Sequence, residues 1–326
     1  MSLTLREKQS LYHSLAQLVR TGIPFPAALD KLVATTRGDQ RKLIEAARKS
    51  LAQGRTVGEA FSRQTSTVTP LESAVITAVE KSGQLDRGLS DLSAYFGALD
   101  RARKAILTRC AYPIFLLHFG IFTLSAPTIF IKDVHHFWRE VGTALFVVYG
   151  GALIVALLTP LLRDTGAANA GVDRLLITVP VLGPIRRFFA LSRFCTVYGL
   201  QLDAGINVID SLLTAGRASR SGLAQTAADD AAPQVRGGAQ VGPLLAASGA
   251  FPSEFTQGLI VGEETGSLDN ELRRMAQEYR ERALSALEIF SDWLPKLIYV
   301  AIVLYLAWKI LNIAQGYYGS MQDMLK

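Results

Sequence analysis

Cysteine is nearly absent from this chain: Cys110 and Cys195 are the only two in 326 residues. Two thiols so far apart form neither a disulfide framework nor a metal set, and both read as reduced structural residues. Signals for nucleotide chemistry are missing too. No glycine is followed by lysine, which excludes the G-x-x-x-x-G-K-[ST] phosphate loop. G-x-S-x-G, H-E-x-x-H and C-x-x-C are all absent. His135 and His136 are adjacent but have no third ligand, so no metal is expected. Glu80, Glu263 and Glu264 lie in different parts of the chain without the dense oxygen spacing of a calcium loop, and helix-end salt bridges are expected there. Nothing in the pattern points to catalysis, a cofactor or a metal. No basic stretch is interleaved with aromatics, so nucleic acid is not an expected partner.

Apolar residues, in contrast, make up 49% of the chain, with a mean hydropathy of +0.24. The excess is concentrated. Residues 111–131 contain no formal charge, and residues 141–162 contain no ionisable side chain except Tyr149. Each is long enough to cross a bilayer core of roughly 20 residues. A third span is expected at 293–314, with Lys296 and Lys309 near its ends and Trp293, Trp308, Tyr317 and Tyr318 at its interfaces. His118 inside the first span is a functional candidate by its position, although a hydrogen bond within the helix bundle is the simpler reading. Gly150 and Gly151 suggest a close helix contact.

Charge sets the orientation. Residues 1–110 hold 17 Lys/Arg against 10 Asp/Glu, a net of +7, while residues 163–292 hold 12 against 15, a net of −3. Basic residues flank the first two spans on their outer sides, and the loop 132–140 is balanced. The positive-inside rule then places residues 1–110 and 163–292 in the cytoplasm, the loop and the tail 315–326 outside, and attracts the protein to anionic lipid. The N-terminus has no continuous apolar core or cleavage site and does not read as a signal peptide.

One stretch occurs twice. Residues 79–89 read V-E-K-S-G-Q-L-D-R-G-L, and residues 262–272 read G-E-E-T-G-S-L-D-N-E-L. Glu80, Gly83 and Leu85 thereby align with Glu263, Gly266 and Leu268. Upstream, Gly22-Ile23-Pro24-Phe25 aligns with Gly205-Ile206-Asn207-Val208 in the same register. Two landmarks in one register indicate a duplicated module. Gly83 and Gly266 read as joints between helices, where glycine ends one helix and a leucine and an aspartate open the next. The polar regions show helical spacing and no strand alternation, so the fold class is all-α. Expected helices cover residues 41–51, 57–61, 71–79 and 84–109, the last running straight into the first span. Residues 165–172 read as a small-residue linker. Residues 216–242, rich in Ala, Gly and Ser and containing Pro233, read as a weak and mobile counterpart of 41–51.

These elements resemble the polytopic inner-membrane platform proteins of type II secretion systems and type IV pili, the GspF/PilC-like family. The resemblance rests on the duplicated Gly22–Phe25 and Gly205–Val208 element, on Gly54–Ala60 and more loosely Gly238–Leu244, and on Gly262–Leu268. Tyr112 and Pro113 at the start of the first span, with Pro295 at the third, also match. Val79 stands where the family has glycine before the glutamate, and Leu294 where an acid is frequent. The chain begins close to its first repeat, which is similar to the short type IVb or plasmid-borne form. The resemblance implies a non-enzymatic, multi-pass scaffold of the bacterial inner membrane with a cytoplasmic N-terminus, two helical-bundle modules and three transmembrane helices. It further implies homo-oligomers, contact with a hexameric assembly ATPase and other inner-membrane assembly proteins, and handling of pilin or pseudopilin subunits. A transporter or permease subunit would need intramembrane acids or broken helices, which the first two spans lack; a membrane signalling adaptor is the other alternative.

Overall fold

Helix starts are encoded locally. Thr4, Thr56 and Thr69 are each followed three residues later by a glutamate, and all three form reciprocal capping boxes. A computed structural model describes residues 3–131, 133–180 and 182–324. Among them every regular element is helical. The first six helices are α1 (Leu5–Arg20), α2 (Phe25–Thr35), α3 (Gly38–Ala52), α4 (Val57–Ser62), α5 (Pro70–Lys81) and α6 (Leu85–Ser125). After α7 (Pro127–Ile131), α8 (Val134–Ala168) and α9 (Ala170–Thr178), the set repeats. The second set is α10 (Leu182–Asp203), α11 (Val208–Ser219), α12 (Gly222–Arg236), α13 (Val241–Ala247), α14 (Ser253–Glu264) and α15 (Leu268–Met324). Helices α2, α5 and α6 start in the same register as α11, α14 and α15.

The chain divides into two compact units: Met1–Arg101 with Arg163–Ala286, and Ala102–Leu162 with Leu287–Lys326. In the first, both copies of the module contribute to one apolar core, which includes Leu11, Leu15 and Ile76 from one copy and Phe194, Leu212 and Phe255 from the other. Helix α5 packs on α10 and α11, so the modules associate within a single chain. The seam is used once. Leu71, Val75 and Tyr95 line one small cleft there with Ser192, Thr196 and Leu200, whereas the same positions of the opposite copies carry Glu254, Gly258, Glu278, Gln9, His13 and Gln17.

In the second unit Ile121, Phe137 and Val141 form a small cluster, and a polar contact joins α6 to α8. His118 Nδ1 is 2.7 Å from the Ile114 carbonyl, so it donates, and Nε2 accepts from the Tyr149 hydroxyl at 2.7 Å. Two helices are, among the described residues, long and apolar enough to cross a membrane: Leu85–Ser125, and α15 over Leu268–Trp308. Only 17% and 11% of their most apolar windows are buried, which sets them apart from core helices. The expected second span, 141–162, lies within α8, where several side chains fall outside the described residues.

The structure differs from the sequence expectations at several places. The stretch 111–131 is not one helix, because α6 ends at Ser125 and Pro127, which cannot donate a helical hydrogen bond, opens a separate turn. Most of the expected loop 132–140 already belongs to α8. The expected linker 165–172 is the end of α8 and the start of α9. It is fixed by Asp173, which is fully buried and accepts from Arg186, Ser221 and the Leu223 amide. A side chain at Gly222 would stand 2.5 Å from the Asn169 backbone, so glycine is what lets α9 approach. Residues 216–242 are not a weak element but include α12, whose Ala224, Ala227, Ala228 and Ala231 are buried, with Gly216 admitting Ala228 at close range. Small residues that look disordering in sequence serve here for close packing. Finally, among the described residues Gly150 and Gly151 have no neighbour within 4 Å of a built Cβ.

The two modules test one another. In the first, Glu72 is buried and accepts from Lys8 Nζ and Tyr12 Oη, both at 2.5 Å, while Lys8 also sits 5.1 Å from the Phe96 ring centre. Burial, followed by the Glu72 charge, holds the Tyr12 hydroxyl well above its ordinary pKa. The equivalent positions in the second module are Leu191, Cys195 and Phe255, all buried and apolar. The same backbone thus accepts either a complete buried ion pair or none. Glu72→Gln alone should cost roughly 3–5 kcal/mol in denaturant unfolding, because Lys8 is left charged and unpaired. Combining Lys8→Leu, Tyr12→Cys and Glu72→Phe should recover most of that loss.

Asp91 in the seam gives a pH-dependent expectation. Burial raises its pKa above the ordinary 3.8, against the opposing pull of Arg280 and Arg87. A raised carboxyl disfavours the folded state once it ionises, so its relative contribution is lost as pH rises through the folded-state value. Asp91→Asn should therefore raise Tm at neutral pH, and the difference should close as pH falls below the ordinary aspartate range.

Candidate functional site

Each module's repeated residues converge on one arrangement. Helix α5 must end, turn and hand over to α6, and α14 must do the same for α15. Gly83 and Gly266 have φ of +71° and +66°, a left-handed conformation that a side chain would strain. They allow the chain to fold back so that Gln84 N–H donates to Val79 O at 2.8 Å and Ser267 N–H to Gly262 O at 2.9 Å. Gly22 and Gly205 close α1 and α10 in the same way, through Ile23 to Leu18 at 3.1 Å and Ile206 to Gln201 at 2.9 Å. Pro24 then stands at the N-cap of α2, and Asn207 at that of α11, where its side chain accepts from the Asp210 amide.

The glutamates do something different from the expected helix-end salt bridges. Glu80 accepts from the backbone amides of Val57 and Gly58 at 2.6 and 2.8 Å. Glu263 accepts from Val241 and Gly242 at 2.8 and 2.6 Å. Each carboxylate therefore covers the unpaired amides at the start of a short helix, α4 or α13, and latches it to the joint. The second residue of the short helix is glycine both times. A Cβ at Gly58 would stand 2.4 Å from Thr77 Oγ1, and one at Gly242 2.7 Å from Ile260 Cγ1. The sequence motif held these residues, but not the direction in which the glutamate reaches back more than twenty positions.

Val79, the departure from the family pattern, is explained by its partner. A Cβ at Gly88 would stand 2.5 Å from Val79 Cγ1. In the other copy the bulk is exchanged: Gly262 leaves room for Glu271, whose Cβ lies 3.3 Å from where a Cβ on Gly262 would be. One joint is Val on Gly, the other Gly on Glu.

In the second module the latch borders an open groove of about 820 Å³, lined by Val208, Gly238, Val241, Glu263, Gly266 and Leu268 among others. The structure thus brings the Glu263, Gly266 and Leu268 motif beside the segment that follows Gly205. Leu85 and Leu268 begin the two long helices, and Leu89 and Leu272 one turn on are fully buried. Tyr112, Pro113 and Pro295 lie inside α6 and α15, in the second unit. Each proline removes one helical hydrogen bond, from the carbonyl of Arg109 or Ser291. The groups described here form no cluster of metal ligands, and among the described residues there is none elsewhere.

Glu80→Gln or Glu263→Gln should each cost roughly 1–3 kcal/mol in unfolding free energy, since a charged acceptor is lost from buried amides. Gly262→Val should destabilise, because a Cβ there stands 3.1 Å from the Leu268 Cα and 3.3 Å from the Glu271 Cβ. Adding Glu271→Gly, which recreates the Val79–Gly88 pair, should restore part of the lost Tm. Failure of that rescue would separate the two joints.

Comparison with known proteins meets the duplication directly. The family described as "Type II secretion system (T2SS), protein F" matches residues 11–131 and again 194–313. The type IV pilus assembly protein TapC of Aeromonas hydrophila is 22% identical over 309 residues, covering 88% of this chain and 75% of that protein. The type 4 fimbrial assembly protein PilC of Pseudomonas putida is 26% identical over 314 residues, covering 90% and 77%. The type II secretion system protein F of Vibrio cholerae is 24% identical over 285 residues, covering 80% and 70%. With both copies matched over most of its length, the chain belongs to the type II secretion system protein F family.

Proposed function

We propose that this protein is a non-enzymatic platform of the bacterial inner membrane that couples a cytoplasmic assembly ATPase to the polymerisation of pilin or pseudopilin subunits. The observation that carries this reading is the continuity of α6 and α15. Each begins at a latched joint and runs on without interruption into its most apolar stretch. A helix without a break transmits torque and displacement, whereas a flexible linker dissipates them. Family membership supplies the assembly context, and the chain carries no G-x-x-x-x-G-K-[ST] phosphate loop. In this reading residues 1–110 and 163–292 face the cytoplasm, three spans cross the membrane and several copies assemble. The ATPase then acts on the soluble modules, and α6 and α15 carry the movement to the fibre subunits. A transporter reading finds no intramembrane acid in α6 or α8 to support it.

The test is a flexible Gly-Ser insertion after Arg101, in α6 where the first unit ends. Membrane insertion and abundance should be unchanged, while fibre assembly or secretion should fall at least about ten-fold. Normal assembly by the inserted variant would overturn the mechanical reading.

A further inference from the structure

Arg109 on α6 and Asp292 on α15 form an ion pair, and they lie 183 residues apart, the spacing of the repeat itself. The same position of the two copies therefore meets its own counterpart. Had both copies kept one residue there, arginine would face arginine or aspartate would face aspartate. We infer that the Arg109–Asp292 pair selects which helices meet at this level of the second unit, matching α6 to α15 of the same chain and rejecting a second α6.

The side chains are 40% and 52% exposed. An ion pair so open to solvent adds little to stability, so its effect is on the choice of partner, where juxtaposed like charges penalise the wrong match. Lys296, the next cation along α15, is held 5.1 Å from the Trp293 ring centre. The Tyr112 and Tyr299 rings, 6.3 Å apart, make a further contact between the same two helices. Two copies of one module in one chain make such a device useful. Helices of similar sequence at high local concentration can pair with the wrong copy, and opposite charges at the equivalent site remove that choice.

The experiment uses the full chain in membranes, with Cys110→Ser and Cys195→Ser as background and Tyr112→Cys with Tyr299→Cys as reporters. A short bismaleimide is added, and intrachain links are measured against interchain 112–112 dimers. Arg109→Asp or Asp292→Arg alone should lower the intrachain fraction about five-fold and raise the dimer. The double reversal should return it to within about two-fold of the parent. A single reversal that fails to accumulate while the double reversal accumulates supports the pairing equally. Unchanged links in both single variants, or a double reversal as poor as the singles, would overturn it.

Discussion

A helix end leaves amides or carbonyls without partners, and this chain resolves that problem in the same way twice. One carboxylate reaches back from the last turn of α5 or α14 and takes two amides at the start of α4 or α13. The left-handed glycine three residues later turns the chain immediately into the long helix. Because both devices share the same few residues, the short helix, the joint and the start of α6 or α15 form one rigid corner.

The duplication separates what the fold requires from what each copy has chosen. Glycine turns, carboxylate latches and the buried leucines at 89 and 272 occur in both copies. The buried Lys8–Glu72–Tyr12 group occurs in one only, opposite Leu191, Phe255 and Cys195 in the other. A buried ion pair and an apolar cluster of similar volume can be close in free energy, provided neither is left half complete. A hydroxyl exchanges sides in the same manner: Ser93 donates to the Gln9 carbonyl, whereas Ser192 donates to that of Ala276. The interaction is retained while the donor moves from one helix to its neighbour.

Association of the modules follows a different rule. Helix α5 rests on α10 and α11, where Leu71, Val75 and Leu200 line the seam beside Asp91, Ser192 and Thr196. The corresponding face of α14 carries Glu254, which joins Arg282, Glu278, Arg274 and Glu271 in an ion-pair network. A face charged in this way could enter the seam only by desolvating several ions.

Local chemistry in the sequence determined the helices, the repeat register, the glycine joints and the apolar stretches, because turns, caps and hydropathy act over a few residues. Lys8 sat in phase with Leu11 and Leu15 on the apolar stripe of α1, a visible sign of a buried charge, but its partner lay 64 residues away. Tertiary structure alone decided where Glu80 and Glu263 point, that Val79 is compensated by Gly88, and that the alanines of α12 are packed. Each depends on which backbone comes within a few ångströms of which side chain. That proximity is set by the closing of the whole core, and no single stretch of the sequence contains it.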